Sequence, residues 1–273
     1  MLEKFVYING QNEHFNFGEE GVFVNESSLR DYEWNVVSEN NKISNLNKKI
    51  TNRSLPIVIL CDTEEEGIKK KNSLFEVLEK DALKVTPGRI ILGSYYMKCV
   101  CTGSKKSQYL QSKRLLSLTL TLTTDSPNWV KETTSHFAPA AQQQGRNLDF
   151  KRDFKYDYTS EFKNKTLNNT DFVESNFIMC IYGPATNPTV YIGGHEYTVN
   201  TELSNNEYLT INSIEKTIVL TKYDGTLVNC FGDRNKDSYV FEKIPSGNNI
   251  VTWNGEFDFD VTLCEERSEP KWE

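Results

Sequence analysis

From residue 170 onward, β-prone runs and turn signals alternate at intervals of about 8–12 residues, and no helical period fits. The turns are Gly183-Pro184, Gly193-Gly194, Asp224-Gly225, Pro245-Ser246-Gly247 and Asn254-Gly255. Between them lie the expected strands 172–182, 188–192, 195–200, 206–212, 216–221, 226–231, 238–243, 247–253 and 256–264. The last repeats every two residues, with Phe257, Phe259, Val261 and Leu263 against Asp258, Asp260 and Thr262. Successive side chains of a strand point to opposite faces, so this alternation builds sheets with one buried and one wet face. The spacing predicts a β-sandwich or barrel.

The first half is also strand-rich but carries one helix. Phe5–Ile8 runs into Asn9-Gly10, a hairpin signal because a type I′ turn needs positive φ at both central residues. The polar stretch 22–50 reads as a strand or two with a long loop, with apolar side chains at Val22, Val24, Trp34, Val36 and Ile43. Leu55–Leu60 reads as a strand. A helix is expected over 64–82, with Thr63 as N-cap, Glu66 completing a capping box, and three acids in the first turn facing the positive end of the helix dipole. Ile68, Phe75, Leu78 and Ala82 are its expected inner face. Residues 89–92 and 95–101 read as strands after the Pro87-Gly88 turn, and 113–124 as the clearest one, with Leu116, Leu118, Leu120 and Leu122 on one face. Residues 133–158, rich in Thr, Ser, Ala and Gln, read as a linker or extended segment. The expected organisation is therefore 1–132, linker 133–158, and 159–273.

Charge separates the same halves. Residues 1–159 hold 22 basic and 20 acidic residues, while 160–273 hold 9 and 18. An acidic second half argues against nucleic acid as partner, since a polyanion is repelled. Mean hydropathy is −0.56, and no run of about 18 apolar residues suits a membrane span. The start has an acid at position 3 and no apolar core, so no secretory signal is expected. Six scattered Cys then read as reduced thiols of a chain made in the cytoplasm, and the sequons at Asn25, Asn52 and Asn168 carry no weight.

The search for catalytic chemistry is largely negative. Nucleophile-elbow, Walker and dinucleotide signatures are missing, and the His residues are only His14, His136 and His195. His195-Glu196 opens like a zinc-protease motif, but Val199 stands where the second His belongs, on a strand. Asp233, Asn235 and Asp237 resemble half a calcium loop, with Ser238 in place of Gly at the sixth position and Ile244 at the twelfth. Cys99 and Cys101 share a strand face without a second pair nearby. Glu256 with Asp258 or Asp260 offers the two carboxylates of glycoside hydrolysis, yet period two puts both Asp residues on a solvated face. Tyr191, Tyr197, Tyr223 and Trp253 are candidates for stacking on sugar, with core packing as the plain alternative. No catalytic, metal or cofactor residue is assigned, and a glycan-binding site stays unknown.

The ordered parts resemble a known family. They are the Ile8-Asn9-Gly10 hairpin, the Asn72–Leu78 stretch of the helix, Pro87-Gly88-Arg89, Gly93–Cys99, Ile181–Pro184 with Asn187-Pro188, Gly193–Asn200, Tyr208–Asn212, Asn229-Cys230-Phe231, Ile244–Asn249 and Arg267–Trp272. In this order they are similar to the distal tail proteins of long-tailed phages and phage-like particles. The resemblance implies a mainly β chain: an N-terminal β-rich ring domain with one α-helix, and a C-terminal galectin-like or carbohydrate-module-like β-sandwich. It implies a homo-hexameric ring, assembled into a virion or phage-tail-like particle, that joins the tail tube protein to the tail-tip protein and to receptor-binding proteins. It brings no enzyme activity, cofactor, nucleic acid or membrane partner. The alternative is a glycan-binding sandwich used for host cell-wall attachment. A closed ring needs two different surfaces per subunit; the polar face of 113–124 or the region 22–54 is expected to supply one.

Overall fold

The computed structural model describes residues 3–19, 21–108, 113–139 and 165–272. The chain forms two compact units, Met1–Lys131 with Glu266–Glu273, and Glu132–Glu265.

In the first unit, strands β1 (Phe5–Ile8), β2 (His14–Phe17), β3 (Val22–Val24), β4 (Asn35–Glu39), β5 (Lys42–Asn47) and β6 (Thr51–Leu60) precede helix α1 (Glu64–Lys84). β7 (Gly88–Leu92), β8 (Tyr95–Gln108), β9 (Leu115–Thr124) and the start of β10 (Trp129–Phe137) follow. One run of antiparallel strands is β2-β1-β7-β8 and another is β3-β6-β9-β8. β8 serves both: its first part pairs with β7 and its second with β9, with register shifts at Cys101/Gly103 and Lys106/Gln108. Such irregularities bend a long strand and let it turn a corner. The core holds Phe5, Tyr7, Phe17, Leu55, Ile57, Ile59, Met97 and the inward leucines of β9, with Trp129 donating from Nε1 to the Leu29 carbonyl at 3.2 Å.

The helix begins as expected, Thr63 Oγ1 accepting from Glu66 N at 3.2 Å. Its inner face differs. Gly67, Leu74, Val77, Leu78 and Asp81 are buried, while Ile68 and Ala82 are exposed and Phe75 is half-buried. A Cβ at Gly67 would stand 2.4 Å from the Lys113 carbonyl oxygen, so this glycine permits the close approach that rotates the helix. Asp81 points inward because it accepts from the Tyr7 hydroxyl at 2.7 Å and from Gly10 N at 2.8 Å. The hairpin turn also departs from type I′. Asn12 is the residue at positive φ (61°), and Asn9 Oδ1 accepts from Gln11 N and Glu13 N. Gly10 is needed for space rather than for dihedral freedom, as its Cβ would meet Thr86 Cγ2 at 2.8 Å.

In the second unit the rest of β10 is followed by β11 (Lys165–Asn169), β12 (Asn176–Tyr182), β13 (Ala185–Thr186), β14 (Thr189–Ile192) and β15 (His195–Thr198). Then come β16 (Glu202–Leu203), β17 (Tyr208–Asn212), β18 (Thr217–Thr221), β19 (Leu227–Asn229), a 3-10 turn at Phe231–Asp233, β20 (Gly247–Trp253) and β21 (Phe259–Arg267). One sheet runs β19-β18-β17-β12-β21-β10 and the other β11-β20-β14-β15. Their inner faces share one core of Phe137, Phe177, Met179, Ile181, Val190, Ile192, Tyr197, Val251, Phe259 and Val261. This is a β-sandwich, and the chain is mainly β with one α-helix among the described residues. Ile192 pairs directly with His195 across Gly193 and Gly194, both at positive φ (60° and 86°), so here the two-residue hairpin signal reads true.

Three sequence expectations meet a different structure. Residues 133–137 of the expected linker are strand, because Thr134, Thr133 and Ser135 suit a pleated face as well as a loop; residues 140–158 lie outside the described ones. Residues 238–243 are turns that bury Val240 and Phe241 rather than a strand. Residues 266–273 belong to the first unit, where Arg30 stacks over Trp272 at 3.8 Å and donates to the Pro270 carbonyl at 2.8 Å.

Candidate functional site

The most unusual surface of the first unit is the β4–β5 ribbon, which pairs only with itself. Apart from the half-buried Asn35, each of its residues is exposed. A lone two-stranded hairpin is marginal in water, so its apolar side chains call for an explanation. Val36 lies opposite Leu46, and Ser38 opposite Ile43. Paired residues share a face and so do residues two apart, so Val36, Leu46 and Ile43 form one row. Ile43 and Leu46 are three apart in sequence. They meet on one side because the register shifts at Val37/Ser38, leaving Ser44 as an extra residue. Toward the root the row continues with Trp34, whose ring centroid is 4.7 Å from Lys48 Nζ. Exposures of 55% at Val36, 68% at Ile43 and 47% at Leu46 make this an open aliphatic strip.

The region 22–54 thus holds an available surface. The outward residues of β9, the other expected surface, are half-buried; Thr123 Oγ1 donates to Asn52 Oδ1, and Lys71 reaches the Leu115 carbonyl.

In the second unit the candidates do not converge. Tyr197 is fully buried and donates to the Glu242 carbonyl at 2.9 Å. Trp253 packs edge-on against Phe137 and Phe259 and donates to the Phe257 carbonyl. Tyr191 is exposed on β14, its hydroxyl 3.5 Å from Glu196, and Tyr223 is exposed in the turn after β18, on the other sheet. Of the four candidate sugar-stacking aromatics, two are core residues and two stand on different sheets.

Among the carboxylates, Asp260 is engaged on both oxygens, by His136 Nδ1 at 2.6 Å and the Tyr182 hydroxyl at 2.8 Å. That bond pushes the Tyr182 hydroxyl above its usual range. Glu256 sits in an exposed turn and accepts from Asn254. Asp258 is half-buried. His195 Nε2 lies 3.0 Å from the Tyr239 carbonyl and its ring packs edge-on against Tyr197. Asn235 donates to Glu196 Oε1, which with Thr198 holds the Glu196 carboxyl below its ordinary range. Burial pushes the Cys99 and Cys101 thiols up, the reverse of what a thiolate metal ligand needs. Among the described residues no group of three His, Cys, Asp or Glu side chains is placed to hold a metal, and no helix is long and apolar enough to cross a membrane.

By sequence, the chain matches no protein-family model and no curated protein. By structure, it is similar to a chain of the phage P2 baseplate in its activated conformation with calcium, with TM-score 0.65 and 12% identity over 98% of this chain and 99% of that one. The same baseplate with strontium gives 0.64. It is also similar to the SPP1 Dit protein, described as a paradigm of the hub adsorption apparatus in phages infecting Gram-positive bacteria, with TM-score 0.59 and 12% identity over 96% and 99% of the two chains. From end to end, this chain has the fold of the phage baseplate and Dit hub proteins.

Proposed function

We propose that this chain is a structural hub subunit of a phage or phage-like tail tip. It forms a homo-hexameric ring that joins the tail tube to the tail-tip protein and to receptor-binding components, after synthesis in the bacterial cytoplasm. The observation that carries this reading is the structural correspondence with hub and baseplate chains, which spans both units. The exposed ribbon supports it, since a ring subunit must offer a surface that only a neighbour covers. The role is structural rather than catalytic: Asp260, Glu256, His136 and His195 are tied into local hydrogen bonds instead of facing a common point.

Light scattering on the eluting protein, with electron microscopy of the same fractions, tests the proposal. A six-fold ring is expected at micromolar concentration, and a clean monomer there overturns it.

A further inference from the structure

The first unit holds a cation that forms no ion pair among the described residues. Arg53 lies on the inward face of β6, in line with Leu55, Ile57 and Ile59, and is only 5% exposed. Its Nε has no hydrogen-bond partner. Asp31 is near enough to act on it electrostatically, but no ion pair to Arg53 forms among the described residues. A second cation stands close by. Lys48 Nζ donates to Asn128 Oδ1 at 2.6 Å and to Ser268 Oγ at 2.8 Å, both neutral oxygens. Burial lowers the pKa of both groups, and Arg53 further lowers that of Lys48, opposed by Glu266, which accepts from the other side of the same Asn128. A guanidinium whose Nε is buried without a partner, beside a second ammonium, gains from an anion that arrives from outside.

The position of this pair suggests what arrives. Lys48 lies over Trp34 at the root of the ribbon, in the row that continues through Val36, Leu46 and Ile43. We infer that Arg53 and Lys48 receive a carboxylate from a second copy of this chain, whose apolar side chains cover that row. A small inorganic anion would use the cations and leave the aliphatic strip bare. A nucleic acid would want a series of flat stacking faces, where this row offers one, Trp34, and is otherwise branched aliphatic. An acidic protein surface uses both parts, and the chain carries one in residues 160–273, with 18 acidic against 9 basic residues. Guanidinium is also the cation best suited to an interface carboxylate, being weakly hydrated and bidentate. This inference rests on the ring reading and adds to it the chemistry of the contact.

The test is Arg53→Met, measured by sedimentation velocity across a salt series from about 0.05 to 0.5 M, where screening rises steeply, and by calorimetry. Methionine fills a similar volume without a charge to bury. The expected result is a melting temperature equal to or above that of the parent protein, assembly at least tenfold weaker, and a flattened salt dependence. Lys48→Met, at a more open position, should weaken assembly severalfold with its melting temperature unchanged, and parent-like assembly of this variant counts against the inference as well. Assembly of Arg53→Met equal to the parent overturns the inference while the ring reading stands. A lowered melting temperature also overturns it, by making Arg53 a support of its own fold. An unchanged oligomer with Arg53-dependent binding of inorganic phosphate, read by titration calorimetry, assigns the cations to a small anion and overturns it as well. A monomeric parent protein removes the ring reading and this contact together.

Discussion

Replacing Ile43 and Leu46 by Ser separates an assembly surface from a folding core. The two side chains are 68% and 47% exposed, so in the free chain each keeps about half of its hydrophobic gain in reserve. Full burial of such a side chain is worth about 1.5–3 kcal/mol, and covering the exposed share therefore about 1–2 kcal/mol each. The double substitution removes about 2–4 kcal/mol from every contact that covers the row, a weakening of roughly 30- to 1,000-fold per contact. A closed ring repeats that loss at each junction, so assembly should fail at micromolar concentration. The free chain should be nearly unaffected, within about 0.5 kcal/mol, as surface substitutions usually are. Sedimentation velocity reads the first quantity and urea unfolding the second. A double variant that assembles like the parent refutes the reasoning. So does one that unfolds more than about 1 kcal/mol more easily, because the row would then pack within its own chain.

Asp81→Ala removes the shared acceptor of the buried Tyr7 hydroxyl, which keeps only a longer contact to the Cys99 carbonyl at 3.3 Å, and of Gly10 N in the exposed turn; with one buried donor weakened it should destabilise the first unit by about 1–3 kcal/mol, read by denaturant unfolding. Val85 ends α1 at φ 52°, 86% exposed; a β-branched residue in the left-handed region is strained, so Val85→Gly should stabilise by about 1 kcal/mol, seen as a rise in melting temperature. The Glu196 carboxyl sits below its ordinary range because Asn235 and Thr198 donate to the charged form. Its contribution to the second unit is therefore present at neutral pH and lost as pH falls through its lowered folded-state pKa; Glu196→Gln should flatten that part of the acid-melting curve.

What the sequence makes legible follows from which physical signal each element emits. The period-two strands β9 and β21 and the Gly193-Gly194 hairpin are visible because alternation and positive φ are local properties. The capping Thr63 is visible for the same reason. The helix keeps the expected Leu78 inside but turns the rest of its inner face by one position, because that side includes Gly67 and Asp81, which hydrophobicity alone sends to solvent. Only the distant Lys113 carbonyl and the Tyr7 hydroxyl draw them in. β10 hid behind Thr and Ser, and its Thr134 and His136 acquire meaning only through Thr262 and Asp260, more than 120 residues away in the chain. The first unit's claim on 266–273 is equally non-local. The buried Arg53 is the sharpest case: on sequence it is one more charge in a polar stretch, and its lack of a partner appears only when the surroundings are assembled.

The extra residue at Ser44 makes the ribbon's recognition face a matter of chain length rather than side-chain identity. Counted by twos, Ile43 and Leu46 belong on opposite sides, and one inserted residue brings them together. The Ser44 hydroxyl adds one bond across the ribbon, to the Val37 carbonyl at 3.1 Å, but losing the residue altogether would turn Ile43 to the far side of the ribbon and split the strip in two. Related chains that share the surface are accordingly expected to preserve the spacing between β4 and β5 more faithfully than the letters within it.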